Sequence, residues 1–152
     1  DKLKITVMGS SVASGAAATS SQGYAYLYGK LLTQRYTSGT GSNWTVSNIS
    51  IGGNTTVSLL NRWESDLIPQ FSKYVIYGLS LGNEGITAGG QTTFEQYKSN
   101  MLLLIDKARA KGMIPVVMNC YARADYNAVD YAYIKQMNLL MQKWDVPTVN
   151  LL

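Results

Sequence analysis

Short apolar runs rich in Val, Ile and Tyr alternate along the chain with segments of helical spacing, and that alternation constrains the fold more than any other feature of the sequence. The runs are Leu3 to Met8, Trp44 to Ile51, Tyr74 to Leu81, Ile114 to Met118 and Thr148 to Leu152. Their shortness and β-branched content predict five strands. Between them apolar residues recur every three or four positions. The stripes are Leu27, Leu31 and Leu32; Leu59, Leu60, Trp63 and Leu67; Phe94, Tyr97, Met101, Leu104, Ile105 and Ala108; and Tyr133, Ile134, Met137, Leu140, Met141 and Trp144. Each stripe predicts a helix with one face on a sheet. Strict alternation with near-continuous apolar strands predicts a parallel sheet covered on both faces, because crossover helices bury both sides of it. The expected architecture is α/β: a three-layer α/β/α sandwich around a five-stranded parallel sheet.

A length of 152 residues fits a single domain, 1–152, and no Pro/Gly-rich linker divides it; Gly39-Thr-Gly-Ser42 reads as a helix-to-strand turn. The net charge of +4 is dispersed, with only Lys107, Arg109 and Lys111 close together, so the concentrated basic stripe that tracks phosphates is missing and no nucleic-acid partner is expected. Those three residues suit a helix C-terminus. Cys120 is the only cysteine and there is no histidine, which excludes an internal disulfide and a Cys/His zinc site. Neither a metal nor a cofactor is expected, and Cys120 reads as a buried, inert thiol. No run approaches the ~18 apolar residues of a membrane span, and residues 1–8 read as a strand instead of a signal peptide. Few charges, 11 tyrosines and many Ser, Thr and Asn suit a secreted or periplasmic protein that handles polysaccharide.

In a parallel sheet of this kind ligands bind beyond the carboxyl ends of the strands, so the loops after the first three strands are where function is expected. The first reads Gly9-Ser10-Ser11-Val12-Ala13-Ser14-Gly15 between a strand and a helix. A serine there presents its hydroxyl at the sheet edge, although a plain turn and helix cap would look the same. In the second, Ile51-Gly52-Gly53-Asn54-Thr55, paired glycines leave the backbone open to a ligand and Asn54 or Thr55 can cap the next helix. The third, Leu81-Gly82-Asn83-Glu84-Gly85, offers an amide that can donate to an oxyanion, or a turn-forming Asn beside Gly.

Taken together the three loops resemble the ordered blocks of the SGNH hydrolases, also called GDSL esterases and lipases, and the resemblance runs along essentially the whole chain. Gly9-Ser10-Ser11 stands where that family has Gly-Asp-Ser, Gly15 fits the same block, Gly53 looks like the second-block glycine and Asn83 like the third-block asparagine. Ser10 and Glu84 depart from the usual aspartates. The resemblance implies the flavodoxin-like SGNH fold and hydrolysis of a small acyl ester, acetyl on a carbohydrate by further inference, through an acyl-enzyme on Ser11. It assigns the oxyanion hole to the amides of Ser11 and Gly53 and the side chain of Asn83.

A serine hydroxyl needs a base, usually histidine, and the chain has none. The family's Asp-x-x-His block follows its last strand, so that block and a final helix are expected beyond Leu152, in continuing chain or in a second polypeptide. Ser-x-x-Lys does not occur, which leaves a serine-lysine dyad without support. Asp125, Asp130 and Asp145 read as turn and helix-end charges, and Glu84 as an acid that holds its loop together. One alternative is a catalytically silent carbohydrate or ester binder with Tyr24, Trp63, Tyr121 and Tyr126 lining its cleft. Another is a flavodoxin-like phosphate or flavin binder built on Ser10 to Ser21. A Walker loop is excluded, since Gly23 to Lys30 has one residue too many and Leu31 replaces the Ser or Thr.

Overall fold

The computed structural model describes residues 2–19, 22–37 and 43–149; the turn read at Gly39-Thr-Gly-Ser42 and the last three residues of the fifth predicted strand lie outside them. Strands β1 (Lys4–Gly9), β2 (Thr45–Asn48), β3 (Tyr74–Gly78), β4 (Ile114–Met118) and β5 (Thr148–Val149) form one parallel sheet in the order β2-β1-β3-β4-β5. The crossovers carry helices α1 (Ser11–Ser14), α2 (Tyr24–Leu32), α3 (Thr56–Arg62), α4 (Ile86–Ala110) and α5 (Ala128–Met141). The chain leaves β1 in one direction for β2 and then works back the other way. Right-handed crossovers therefore put α1 and α2 on one face and α3, α4 and α5 on the opposite face. Strand order reverses at β1, which opens a crevice between the loops after β1 and β3.

Successive strand residues divide between the two faces. Met8, Val75, Tyr77 and Val117 join the core beneath α3 to α5, where Leu59, Trp63, Leu67, Phe94, Tyr97 and Met101 are all buried. The polar tips within this core are satisfied: the Trp63 indole donates to Tyr77 Oη at 2.9 Å, and Tyr77 donates to the Leu104 carbonyl at 3.0 Å. Trp63 is thus a core residue and not part of a cleft.

The second face is only half covered. Ala13 of α1 and Ala25 and Leu32 of α2 pack on Ile5, Val7, Ile76 and Met118. Beyond them an open apolar groove of about 720 Å³ runs along the sheet, floored by Tyr74, Ile76, Val116 and Met118 and walled by Tyr24 and Tyr28 of α2. The sheet is therefore covered on both faces over β1, β2 and the carboxyl ends of β3 and β4, while among the described residues no helix covers the rest of this face of β3 to β5. The stripe read for α2 also changes. Leu27 and Leu31 are 47% and 61% exposed, and the inward face is Ala25, Gly29 and Leu32. Small residues let α2 approach β2 closely, with Gly29 against Val46, a contact that a reading weighted toward large apolar residues passes over.

Three element boundaries shift for local reasons. Regular β2 is shorter than the predicted run, yet its ladder continues through Ile49 N–H to Val7 O (2.9 Å) and Ile51 N–H to Gly9 O (3.1 Å). Described β5 residues Thr148 and Val149 are exposed, against the expectation of a buried strand, because β5 is the sheet edge and flanks the groove. Helix α4 starts before the predicted stripe but is interrupted at Gly90 (φ 50°, ψ −128°), a conformation open essentially to glycine.

Candidate active site

The three loops singled out from sequence come together at the carboxyl ends of β1, β2 and β3. Ser10 closes β1 by donating its amide to Gly78 O at 3.2 Å, and its side chain is buried. Its hydroxyl oxygen has no hydrogen-bond partner among the described residues, and an aspartate there would have to be desolvated as well. Ser11 is the first residue of α1 and is half-buried. Its amide precedes the first intrahelical bond, Ser14 N–H to Ser10 O at 2.8 Å, so it belongs to the helix-start donors that look outward. The turn is braced from the side by the Ser14 hydroxyl on Ser11 O (2.8 Å) and by Asn48 Nδ2 on Ala13 O (2.8 Å).

The second loop passes directly beside Ser11: a side-chain carbon built on Gly52 would sit 3.9 Å from Ser11 Cβ. Residues Ile51 to Asn54 form a turn closed by Asn54 N–H to Ile51 O at 3.2 Å, with Gly53 at φ +79° in its third position. That is the type II pattern, which favours glycine there. Thr55 then caps α3 in a capping box with Ser58, one of the two residues expected to do so.

Asn83 of the third loop donates Nδ2 to the Asn54 carbonyl at 3.2 Å, so its carboxamide lies against the residue that follows Gly53. Ser11 and Asn83 therefore both adjoin the Gly52–Asn54 turn. Glu84 accepts from Thr56 N–H and from the Thr56 hydroxyl (3.2 Å), which ties the third loop to the start of α3 in the loop-holding role expected of it. Burial holds its carboxyl above the ordinary glutamate value. Loop three is also roofed from the β4–α5 side, where Tyr126 and Arg123 pack over Gly82 and Arg123 pairs with Asp125 at 2.9 Å.

Sequence reasoning did not find Arg62. Its Nε donates to Asn54 Oδ1 (2.8 Å) and its NH1 to Ile49 O (2.7 Å), while Asp66 pairs with it at 3.1 Å. Only an eight-residue spacing on the far side of a helix cap links it to the loop, and no motif marks such a spacing. Asn100, on Thr56 Oγ1 at 2.9 Å, was equally silent.

Among the described residues no hydrogen bond joins a titratable side chain to the Ser11 hydroxyl. Burial raises the Tyr24 phenol well above its ordinary value and pushes the Cys120 thiol up to about 11, so both keep their protons near neutrality. Asp130 completes the capping box of α5 with Asn127.

No family model matches the sequence. An uncharacterized lipoprotein, YqeF, of Bacillus subtilis (strain 168) is 26% identical over 80 residues, which is 51% of this chain and 33% of that protein, so the match spans about a third of its relative. Among the described residues no helix is long and apolar enough to cross a membrane. Solved structures agree over far more of the chain. The psychrotrophic esterase EstA from Pseudoalteromonas sp. superposes with a TM-score of 0.76 at 17% identity, over 98% of this chain and 77% of its own. AlinE4, an SGNH-hydrolase family esterase, gives 0.77 at 19% over 98% and 76%. Axe2, an acetylxylan esterase from Geobacillus stearothermophilus, gives 0.72 at 18% over 96% and 74%. With nearly all of its length superposing on these esterases, the chain, a five-stranded parallel sheet with its helices, has the SGNH-hydrolase fold.

Proposed function

We propose that this chain is the larger part of a serine esterase that removes small acyl groups, acetyl on a carbohydrate foremost, through an acyl-enzyme on Ser11. What supports the reading is that the turn holding Gly53 lies beside Ser11 at Gly52 and accepts Asn83 Nδ2 at the Asn54 carbonyl. The Ser11 hydroxyl attacks the ester carbonyl, and the resulting oxyanion is held by the Ser11 and Gly53 amides and Asn83 Nδ2. Collapse of that intermediate expels the alcohol and leaves the acyl group on Ser11, from which water releases it as the acid. Acetylxylan esterases among the structural neighbours favour acetyl and a sugar alcohol, and the likeness to a lipoprotein fits an exported location.

The proton must pass to a base outside these 152 residues. An Asp-x-x-His segment, in continuing chain or a second polypeptide, fills that role, its helix seated in the groove over Ile76, Val116 and Met118. Two features support this occupant: the groove is apolar and adjoins β5 through Val149, and the alignment covers only 77% and 76% of the matched esterases' own chains.

The test is p-nitrophenyl acetate turnover by the protein with that segment present. Ser11→Ala is expected to abolish turnover, and equal rates in mutant and parent would remove Ser11 from the mechanism. A complete protein that has no Asp-x-x-His and does not turn over, but retains acetylated sugar, would instead be the silent binder.

A further inference from the structure

The third loop ends in a carboxylate whose two oxygens both reach across to the second. Glu84 receives the Thr56 main-chain N–H on one oxygen and the Thr56 hydroxyl on the other. Asn100 Nδ2 donates to that same hydroxyl oxygen at 2.9 Å, so the hydroxyl hydrogen is directed to Glu84. Each hydrogen in this small network runs toward the carboxylate, which fits the ionised form. A carboxylic acid or an amide would bring a hydrogen of its own to the contact. It would either lose Thr56 or force the hydroxyl to turn away with no acceptor.

This contact sits next to both candidate oxyanion donors outside the nucleophile loop. Asn83 is the residue before Glu84, and Gly53 is three residues before Thr56. Loop two is thus gripped by Arg62 at Ile49 and Asn54, by Asn83 at the Asn54 carbonyl, and by Glu84 at Thr56. Only the last grip carries a titratable group that no cation balances: among the described residues Glu84 has no ion pair. The titratable groups that face it are Tyr97 of α4 and Cys120 after β4, both kept protonated by burial.

We propose that ionised Glu84 is the positioning residue of the oxyanion hole: through Thr56 it sets the Gly53 turn against Asn83, and proton uptake at Glu84 releases both donors together. In naming the hole, this rests on the esterase reading of Ser11, Gly53 and Asn83.

The deciding experiment is a pH titration of the isotope-labelled protein by NMR, following the Glu84 carboxyl carbon, the Gly53 amide and the Asn83 side-chain amide. All three are expected to share one midpoint above the ordinary glutamate value, while the Val46 amide in β2 stays flat. In Glu84→Gln the inflection at Gly53 and Asn83 should vanish. Flat Gly53 and Asn83 signals in the parent, or an unchanged inflection in Glu84→Gln, would overturn the clamp. If Glu84→Gln does not fold, the coincidence or divergence of the three parental midpoints decides the question alone. Ester turnover, measured separately, is expected to lose between about ten- and a hundredfold in kcat in Glu84→Gln at unchanged KM. An absence of turnover in parent and mutant alike would count against the esterase reading while leaving the titration as judge of Glu84.

Discussion

Replacing Asn83 by alanine separates what its carboxamide does for the loops from what it does for the reaction. The Nδ2 group carries two hydrogens. One is committed to Asn54 O at 3.2 Å, and the proposed mechanism assigns the second to the oxyanion. Losing the first bond, long and between half-exposed groups, costs about 0.5–1.5 kcal/mol of folding stability. Losing the second removes an oxyanion donor, worth about 2.7–4 kcal/mol or roughly 10² to 10³ in kcat. Because the charge exists only on the way through the tetrahedral intermediate, the loss falls on kcat and leaves KM nearly unchanged. The assay is p-nitrophenyl acetate kinetics on the protein with its base-bearing segment, with urea unfolding run in parallel to measure the structural share. Asn83→Asp keeps the size but replaces the donor with a negative charge, and should fall at least as far. A kcat loss below about tenfold in Asn83→Ala, with stability lowered as stated, would refute the placement of Asn83 in the hole.

Two further predictions concern stability alone. Tyr77→Phe leaves the buried Trp63 indole without its acceptor and should cost about 1–3 kcal/mol in urea unfolding, part of it recovered when Trp63 is also made Phe; a neutral Tyr77→Phe would show that the indole finds another partner. Burial raises the Glu84 pKa in the folded state, so the folded chain holds this proton more tightly than the unfolded one. The stability that Glu84 contributes is then full below the unfolded value near ~4.3 and is lost as pH rises from there through the raised folded value. Urea midpoints followed between about pH 4 and pH 7 should therefore fall more steeply in the parent than in Glu84→Gln, and parallel curves would contradict the shift.

Much of this architecture is legible in the residues because parallel strands and their crossover helices leave distinct periods. The α4 stripe from Phe94 to Ala108 is buried at every residue named in it, and the β3 and β4 runs begin where the strands do. The α2 stripe misleads because small residues make its contact, and apolar pattern weights bulk over closeness. Ser11, Gly53 and Asn83 each sit on a turn whose chemistry is local, so each is visible as a candidate. Their meeting depends on strand order, which no single loop encodes. Arg62 and Asn100 escape altogether, since ordinary side chains become supports only when α3 folds back on the second loop and α4 is set beside it.

The uneven dressing of the sheet bears on how the molecule is put together. Helices α3 to α5 seal one side with a core of their own, so the floor beside Tyr24 and Tyr28 is supported from behind whether or not anything rests on it. A helix arriving there meets a preshaped seat, and the ordering cost falls on the newcomer alone. Were the proposed Asp-x-x-His segment a separate piece, stability would climb with its concentration, by about 2.7 kcal/mol at a hundred times its dissociation constant.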